Sequence, residues 1–343
     1  MSISKRIISI FLLAFFALSL CSCDGRRKYT SNSFEYFDTV TTVTGYAETQ
    51  AEFNSVCEKV YSLLEEYHKL YNIYYTYEGL NNLKTVNQTQ GPVKVDEKIL
   101  ALMEFCKETH TLTGGYINVA MGSVLSIWHE YREEGSLHPE KASLPSMAEL
   151  ENAAKHMNIE NIAIDRENGT IERLDPEMLI DVGAIAKGYA AQKAAEYLRE
   201  SGIMGYILNV GGNVCVIGAK ADGSPWKVGI ENPTGYENEP YIEYLCLTDG
   251  TLVTSGSYQR FYYVDGVRYH HIIDKDTLMP ENEFLSVSVR CPSSALGDAL
   301  STALFCMSLE EGKALVSTLE NVSVMWVKQN GEKIYSDGWK SGK

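Results

Sequence analysis

Residues 181–202, DVGAIAKGYAAQKAAEYLRESG, are the stretch around which the rest of this 343-residue chain is organised. The apolar run of residues 178–180 precedes the stretch, and small residues surround Gly183 and Gly188 at its start. Apolar side chains then recur with nearly the 3.6-residue period of a helix, and Gly202 is placed to end that helix. The stretch therefore predicts the end of a strand, a turn of small residues and a helix.

The turn at the start of this helix has two explanations. Small residues let a ligand approach main-chain N–H groups at the positive end of a helix, an arrangement that suits phosphate. Gly183 and Gly188 could instead serve only to let a second helix pack closely. Because a glycine-rich turn between strand and helix is a weak motif, the residues alone leave both explanations open.

The composition is that of an acidic chain with enough apolar residues for a large core. Hydrophobic residues make up 45% of the chain and charged residues 22%, and the formal net charge is −15. This charge argues against binding to nucleic acid, or to anionic membranes through charge alone. An anionic ligand would therefore need a local source of positive charge, such as a metal ion, a lysine or a helix N-terminus.

The N-terminus carries a targeting signal. Lys5 and Arg6 precede an apolar run at residues 7–20, which is shorter than the roughly 20 residues of a membrane-spanning helix. The Leu-Cys-Ser-Cys that follows is similar to a bacterial lipobox, which predicts cleavage before Cys23 and lipidation of its thiol. An ordinary signal peptide cleaved nearby is the alternative.

Three segments follow from this interpretation. Residues 1–22 are expected to form a lipoprotein signal peptide, residues 23–33 a polar tether, and residues 34–343 a single domain. The expected location is the extracytoplasmic face of the cell membrane, with the lipid as the anchor.

The six cysteines beyond the signal are widely scattered, and no Cys-x-x-Cys motif or Cys/His cluster occurs. Zinc binding and thioredoxin-type chemistry are therefore disfavoured. Most of these cysteines lie in apolar runs and are expected to be small core residues, although an exported protein could pair some of them.

Helices and strands are predicted in an irregular order. Amphipathic helices are predicted over residues 52–71 and 96–111, a short helix over residues 146–157, and a polar loop over residues 129–145. The second half of the chain is rich in short strands, so strands and helices do not alternate regularly. A doubly wound sheet is therefore disfavoured, and the predicted fold is α+β, with mixed, largely antiparallel sheets and packed helices.

Three dipeptides predict β-hairpins. They are Asn168-Gly169, for which a type I′ turn is expected, then Asp265-Gly266 and Asn330-Gly331. Each lies between two short runs rich in β-branched or aromatic residues, which supports the antiparallel pairing.

Asp298 and Thr302 are spaced four residues apart in a helix predicted over residues 293–307. This spacing places a carboxylate and a hydroxyl on one face of an otherwise apolar helix. A buried aspartate is costly unless it is paired or bound to a cation, and two hard oxygen ligands suit Mg²⁺. The alternative is an aspartate that favours the helix dipole, with the threonine bonded back to a main-chain carbonyl.

His270 and His271 are adjacent and follow the second hairpin. They point to opposite faces of a strand, so only one can face a given site. A histidine near a pyrophosphate could act as a general base or stabilise charge, whereas a lone strand histidine is often structural or exposed.

Hydrolases with G-x-S-x-G, P-loop proteins and zincins are disfavoured because the chain lacks their motifs.

Several motifs, taken in order, resemble those of the ApbE-type FAD:protein FMN transferases. They are FDTVTT at 37–42, GGYINVAMGSVLSIW at 114–128, DVGAIAKGYA at 181–190, LNVGGN at 208–213, PWKVGIENP at 225–233, TSGSYQR at 254–260, HHIID at 270–274, SVSV at 286–289 and GDALSTAL at 297–304. Each motif is modest alone, and their order and spacing carry the resemblance over roughly residues 34–330.

The resemblance implies an enzyme that uses FAD as a substrate and, with Mg²⁺, transfers FMN to a threonine hydroxyl of a target protein, releasing AMP. The acceptor would be an exported or membrane redox subunit. The implied metal ligands are the side chains of Asp298 and Thr302 and the main-chain oxygen of Ala184. Lys187 is expected near the pyrophosphate and His271 beside the reacting phosphate, both as catalytic residues.

The resemblance also implies which residues contact FAD. They are Phe37, Tyr77, Asn118, Val119, Ala120, Asp181, Lys187, His271, Ile272 and Ile273, with Asp181 at the adenine end. Asn118 and Phe37 stand where many members have Asp and Met. The family's turn after HIID is commonly Pro-x-Thr-Gly-x-Pro, whereas residues 275–280 are KDTLMP, so the pose of His271 depends on a turn without that Pro and Gly.

Two other functions use the same site. An FAD pyrophosphatase would let water replace the threonine hydroxyl, and an FAD-binding lipoprotein would hold the nucleotide without turnover. A solute-binding lipoprotein of a transporter is disfavoured, because the strand-rich pattern lacks two alternating α/β lobes.

Overall fold

The computed structural model describes residues 25–235 and 239–342, so the predicted signal peptide and Cys23 lie outside the described residues. The helices and strands are, in chain order, β1 (Arg27–Ser33), β2 (Thr41–Ala47), α1 (Gln50–Tyr71), α2 (Leu83–Gln88), β3 (Val93–Lys94), α3 (Glu97–Leu112), α4 (Gly122–Leu137), α5 (Met147–Ala154), β4 (Ile162–Asp165), β5 (Thr170–Arg173), α6 (Ala186–Glu200), β6 (Tyr206–Val210), β7 (Asn213–Ile217), β8 (Trp226–Glu231), β9 (Tyr241–Leu247), β10 (Gly250–Gly256), β11 (Phe261–Val264), β12 (Val267–His270), β13 (Phe284–Cys291), α7 (Ser294–Cys306), α8 (Leu309–Ser317), β14 (Ser323–Lys328) and β15 (Lys333–Tyr335).

An eight-stranded sheet forms the centre of the fold, with the strand order β1-β2-β6-β7-β10-β13-β14-β15. Every pair of neighbouring strands in the described residues is antiparallel, including those of the three smaller sheets. The parallel contact between Met121 and Leu179 is an isolated bridge. The predicted α+β class with largely antiparallel sheets is confirmed.

The two faces of the large sheet are covered differently, which follows from the alternation of side chains along each strand. On β7, Cys215 belongs to the large core under the helices, whereas its neighbour Val216 packs in a second core with Trp226 of the β8–β9 hairpin. The large core contains the fully buried residues of α1 and the small residues of α6 and α7. Because alanines dominate the buried face of α6, this helix can approach α7 closely.

Part of the predicted tether is wrong, because residues 27–33 form strand β1. Residues 27–33 pair with β2 along their whole length and form the edge of the sheet. Tyr29 stacks on Phe53 of α1 with ring centroids 5.5 Å apart, and the Tyr61 hydroxyl donates to Ser31 Oγ at 2.9 Å. The polar sequence suggested a tether because an edge strand needs few apolar side chains once its main chain is paired.

α4 runs from Gly122 to Leu137 and so includes residues 129–137, which were expected to belong to a loop. Its anchor is Trp128, which is 2% exposed and whose indole N–H donates to the Leu278 carbonyl at 2.9 Å. Gly135 lies so close to Tyr262 that a Cβ there would be 2.5 Å from its ring. The helix is therefore held by contacts with distant segments, and its polar residues face solvent or a cleft.

All three predicted hairpins form, but the turn type expected at Asn168-Gly169 is wrong. Asp265 and Gly266 have φ of +50° and +78°, as a type I′ turn requires. At the first hairpin only Gly169 has a positive φ, and a four-residue loop joins β4 to β5. Asp165 Oδ1 accepts the Asn168 N–H at 2.9 Å, and this local hydrogen bond stabilises the longer turn.

The six cysteines in the described part of the chain are free thiols, and all but Cys246 are buried. This agrees with their expected role as small core residues. Within residues 25–235 and 239–342, no helix is both long enough and apolar enough to cross a bilayer.

Candidate active site

A cleft of about 480 Å³ opens where the start of α6, the middle of α7, α4 and the turn after β10 meet. The organising stretch identified in the sequence forms one wall of this cleft through Asp181, Gly183, Ala184 and Lys187. The elements that build it come from distant parts of the chain, and the sheet and the packing of α6 on α7 bring them together.

The segment before α6 is a turn and not the predicted end of a strand. The Asp181 N–H donates to the Val119 carbonyl at 2.8 Å, and Asp181 Oδ1 accepts the Gly183 N–H at 2.8 Å. Burial raises the pKa of the Asp181 carboxyl, against the opposing effects of this hydrogen bond and of nearby positive charges. Asp181 therefore shapes the turn with its own side chain while it lines the cleft.

Gly188 resolves the question of why the start of α6 is rich in small residues. A Cβ on Gly188 would lie 2.4 Å from Asp298 Cβ and 2.5 Å from the Ser294 carbonyl oxygen, so the glycine is needed for helix packing. Its N–H also donates to Asp298 Oδ2 at 2.7 Å. The positive end of α6 thus binds a carboxylate of the protein, as well as facing the cleft.

Asp298 is a buried carboxylate with incomplete compensation. It is 4% exposed, and its nearest cation is Lys187, whose Nζ lies 3.8 Å from Oδ2 and also donates to the Gly183 carbonyl at 3.2 Å. Burial raises the pKa of Asp298, although Lys187, the Gly188 N–H and the Asn213 side chain oppose this change. A carboxylate in this state favours the approach of a further cation.

The helix-dipole alternative for Asp298 and Thr302 does not fit the geometry. Asp298 is the fifth residue of α7 and lies beyond its first turn. Thr302 Oγ1 lies 3.2 Å from Ser255 Oγ, which in turn lies 2.8 Å from Ser301 Oγ. Asp298 and Thr302 both line the cleft.

The donor set fits Mg²⁺. It offers one carboxylate, together with hydroxyl oxygens and main-chain oxygens. These are the hard ligands that Mg²⁺ uses along with substrate phosphates and water. Asn213, which also lines the cleft, has a buried Oδ1 that finds no hydrogen-bond partner among the described residues. Among the described residues, no group of three or more His, Cys, Asp or Glu side chains is placed to hold a metal ion, so a metal site here depends on neutral oxygens around Asp298.

The two adjacent histidines have different environments. His270 is 2% exposed, its Nε2 donates to the Glu281 carbonyl at 2.5 Å, and its Nδ1 accepts the Ile272 N–H at 3.2 Å. Burial lowers the pKa of His270 to about 4. With both ring nitrogens used by the main chain, His270 is a structural residue.

His271 lines the cleft, and its Nδ1 lies 3.2 Å from the Arg260 carbonyl oxygen. Because a carbonyl can only accept, Nδ1 carries the proton and Nε2 keeps a free lone pair. Burial, followed by the positive charges of Arg260 and Arg132, lowers the pKa of His271 to about 3. The imidazole is therefore neutral at physiological pH, with an unprotonated Nε2.

The turn after His271 forms without the Pro and Gly of the family pattern. Leu278 takes the left-handed conformation, with φ of +59°, at the position where the family has Gly. Asp274 Oδ1 accepts the N–H groups of Asp276 and Thr277 at 3.0 and 2.7 Å. The Leu278 side chain is 6% exposed, and its burial offsets a conformational cost of roughly 1–2 kcal/mol.

The structure brings most of the predicted site residues together. Those that line the cleft are Asn118, Val119, Asp181, Ala184, Lys187, His271, Ile272, Ile273, Asp298 and Thr302. Phe37 lines an adjoining pocket of about 110 Å³, whereas Tyr77 and Ala120 line neither cavity. The roles assigned to these residues in FAD and metal binding stay predictions.

Asn118 is held by the protein itself. Its Nδ2 donates to the Met157 carbonyl at 2.8 Å, and its Oδ1 accepts the Ala120 N–H at 3.0 Å. The side chain therefore supports the loop from within. If residues 118–120 contact a ligand, they do so through other atoms that are exposed in the cleft.

The cleft residues that were not identified from the sequence include Tyr74, His129, Arg132 and Arg260. Arg260 is the last residue of the TSGSYQR motif. The motif indicated that this segment matters, but it did not indicate a role for Arg260. Arg132 and His129 lie in the part of α4 that was expected to be a loop, so nothing in the sequence placed them at the site. Tyr74 lines the cleft where Tyr77 had been expected.

Comparison with known proteins gives a consistent result. The model of the ApbE family matches residues 37–326. The FAD:protein FMN transferase of Treponema pallidum is 29% identical over 321 residues, which cover 89% of this chain and 87% of that protein. The FAD:protein FMN transferase of Vibrio cholerae is 31% identical over 267 residues, or 76% of this chain and 77% of that protein.

A solved structure shows the same fold. The crystal structure of the ApbE protein from Thermotoga maritima aligns with a TM-score of 0.79 and 27% identity over 91% of this chain and 97% of that one. The resemblance drawn from the sequence motifs is confirmed.

Proposed function

The chain belongs to the ApbE family, and from this premise we propose that it transfers FMN from FAD to a target protein. The observation that carries the proposal is the convergence of Asp298, Thr302, Lys187 and His271 on one cleft. We propose further that the acceptor group is a threonine hydroxyl and that AMP is the leaving group.

The chain's own residues divide the chemistry between them. His271 Nε2 accepts the hydroxyl proton as the threonine oxygen attacks the FMN phosphorus. The new O–P bond forms as the bond from that phosphorus to the bridging oxygen breaks, and AMP leaves with that oxygen. Lys187 offsets the negative charge of the phosphoryl oxygens.

We propose that Asp298, Thr302 and the main-chain oxygen of Ala184 hold Mg²⁺. The burial and incomplete compensation of Asp298 support this assignment. When bound, the ion supplies positive charge to the phosphoryl oxygens. The protein contributes a carboxylate held in place by the Gly188 N–H.

We also propose that Cys23 carries a lipid, that the protein acts on the extracytoplasmic face of the membrane, and that its acceptor is an exported or membrane redox subunit. The signal-like N-terminus supports this proposal. Since β1 starts at Arg27, only a short segment would separate the anchor from the sheet.

Replacing His271 with alanine should lower the rate of FMN transfer by about 10²–10⁴-fold while FAD affinity changes little, because the base is lost. Transfer can be measured as flavin fluorescence on a gel-separated acceptor, and FAD affinity by calorimetry. His138→Ala, at a half-exposed surface histidine, is the matched control and should keep full activity. An unchanged rate in His271→Ala would remove His271 from the chemistry.

The same residue predicts the pH dependence. A base acts in its unprotonated form, and the pKa of His271 in the free protein is lowered to about 3. At saturating Mg²⁺, which keeps Asp298 ionised, the pH profile of kcat/KM should therefore be flat from pH 8 to 5. A fall with a midpoint near pH 6.5 would contradict the proposed environment of His271.

A further inference from the structure

Arg132 and Arg260 bring two guanidinium groups to one cleft from different elements of the fold. Arg132 lies on α4, and Arg260 ends the turn that joins β10 to β11. Both line the 480 Å³ cleft together with Lys187 and His271. Neither arginine is a proposed metal ligand, and neither takes part in the proposed proton transfer.

Within the described residues, neither guanidinium is neutralised by a direct ion pair. Arg132 Nη2 lies 2.9 Å from His129 Nδ1, and Arg260 Nη2 donates to the Asp38 carbonyl at 3.3 Å. By contrast, Arg166 forms ion pairs with Glu97 and Glu104 on the surface. In a chain of net charge −15, two arginines without a carboxylate partner in one cleft indicate an anionic ligand.

The two charges also act on each other and on the base. Burial and then Arg260 lower the pKa of Arg132, so each arginine makes the other more costly to hold in the cleft. Both lower the pKa of His271. Asp181 and Glu133 attract Arg132 at longer range, and Glu133 is already bound to His129 Nε2 at 3.2 Å.

Both arginines lie on segments whose positions are fixed by hydrogen bonds to other parts of the fold. Trp128, one turn before Arg132, fixes α4 through its hydrogen bond to Leu278. The turn that carries Arg260 is held by the Ser257 N–H, which donates to the Leu285 carbonyl at 3.0 Å, and by Arg268, which donates to Ser257 Oγ at 3.0 Å. Arg260 also presents its own carbonyl to His271, so its side chain starts next to the proposed base.

We propose that Arg132 and Arg260 bind the diphosphate of the nucleotide substrate and so place it against His271. A planar guanidinium donates two parallel hydrogen bonds to phosphate oxygens. Two guanidinium groups supply the local positive charge that an acidic chain needs in order to bind a diphosphate. The inference rests on the proposed function for the identity of the anion, since a flavin transferase must hold a diphosphate at this point.

Calorimetry with two partial ligands, at one fixed Mg²⁺ concentration, separates the diphosphate from the flavin. ADP carries the diphosphate and no flavin, whereas riboflavin carries the flavin and no phosphate. Arg132→Gln and Arg260→Gln should each weaken ADP binding by about 10–100-fold and change riboflavin binding less than about two-fold. Arg260→Lys should recover part of the ADP affinity, because it restores the charge without the planar fork.

Arg166→Gln is the matched control, and it should bind both ligands like the wild type because Arg166 lies outside the cleft. Circular dichroism confirms that the variants are folded. Unchanged ADP affinity in both glutamine variants overturns the inference, as does an equal loss of riboflavin and ADP affinity. Unchanged ADP affinity with a raised KM for the acceptor also overturns it, by assigning the arginines to the acceptor.

The test distinguishes this inference from the proposed function. If the wild type binds ADP through the arginines but transfers no FMN, the function fails and the diphosphate site stands. If the wild type transfers FMN and the glutamine variants bind ADP normally, the function stands and the diphosphate site fails.

Discussion

Asp298→Asn is expected to lower the rate of FMN transfer by about 10³-fold or more. Asparagine keeps the shape of the side chain and an oxygen that can accept the Gly188 N–H, but removes the charge. The site then lacks its only carboxylate among the proposed ligands Asp298, Thr302 and Ala184. Several kcal/mol of charge stabilisation on the phosphoryl oxygens is lost with the metal.

The same variant has a signature that does not depend on activity. Burial raises the pKa of Asp298 above its ordinary value of 3.8, so the folded protein holds this proton more tightly than the unfolded chain. The contribution of Asp298 to stability therefore falls as pH rises through the raised pKa, and at pH 7 the ionised carboxylate is a cost. In EDTA, the variant should be at least as stable as the wild type.

Added Mg²⁺ should reverse this order. At 100 times the dissociation constant the ion stabilises the wild type by about 2.7 kcal/mol, and it should leave Asp298→Asn unchanged. Differential scanning fluorimetry with and without Mg²⁺ measures both effects. Asp249→Asn, at a surface aspartate paired with Arg199, is the control and should respond to Mg²⁺ like the wild type. An equal Mg²⁺ response in Asp298→Asn would place the metal elsewhere.

Gly188→Ala is expected to destabilise the fold by about 1–3 kcal/mol, because the new methyl group has no room between α6 and α7. Its nearest neighbours, Asp298 Cβ at 2.4 Å and the Ser294 carbonyl at 2.5 Å, belong to the facing helix, and Ser294 is also held by Gln192. Separation of the helices should lengthen the hydrogen bond from the Gly188 N–H and displace the carboxylate. Transfer should therefore fall more than the loss of folded protein accounts for.

Gly312→Ala is the matched control for this substitution. A Cβ on Gly312 of α8 would lie 3.3 Å from Leu304 and 3.4 Å from Trp326, both side-chain atoms that can adjust. Urea unfolding should show a change within about 0.5 kcal/mol for Gly312→Ala and the larger loss for Gly188→Ala. Equal, small changes in both would show that the contact between α6 and α7 is loose.

The sequence predicts well those parts of the fold that have a local cause. Asp265-Gly266 forms its hairpin because two residues with positive φ are enough to reverse the chain, and Gly202 ends α6 with φ of +70°. Asp298 and Thr302 were identified because their spacing places them on one helix face whatever surrounds it. In each case the signal and the structure it predicts lie within a few residues of each other.

The sequence predicts poorly those parts that depend on distant contacts. β1 is a strand because β2 and α1 lie beside it, which its polar residues do not reveal. The second half of α4 is helical because Trp128 and Gly135 pack against Leu278 and Tyr262. Arg132 was missed for the same reason, since its place in the cleft depends on where that helix lies.

We propose above all that this cleft transfers FMN from FAD to a threonine of another protein. Intact-mass and peptide mass spectrometry on an exported redox subunit carrying an acceptor threonine, incubated with residues 24–343, FAD and Mg²⁺, tests it directly. We expect an FMN phosphoester on that threonine, and we expect it to be lost with EDTA, in Asp298→Asn and in an acceptor with Ala at that position. Free FMN and AMP without an adduct, or FAD bound and unreacted, would contradict it.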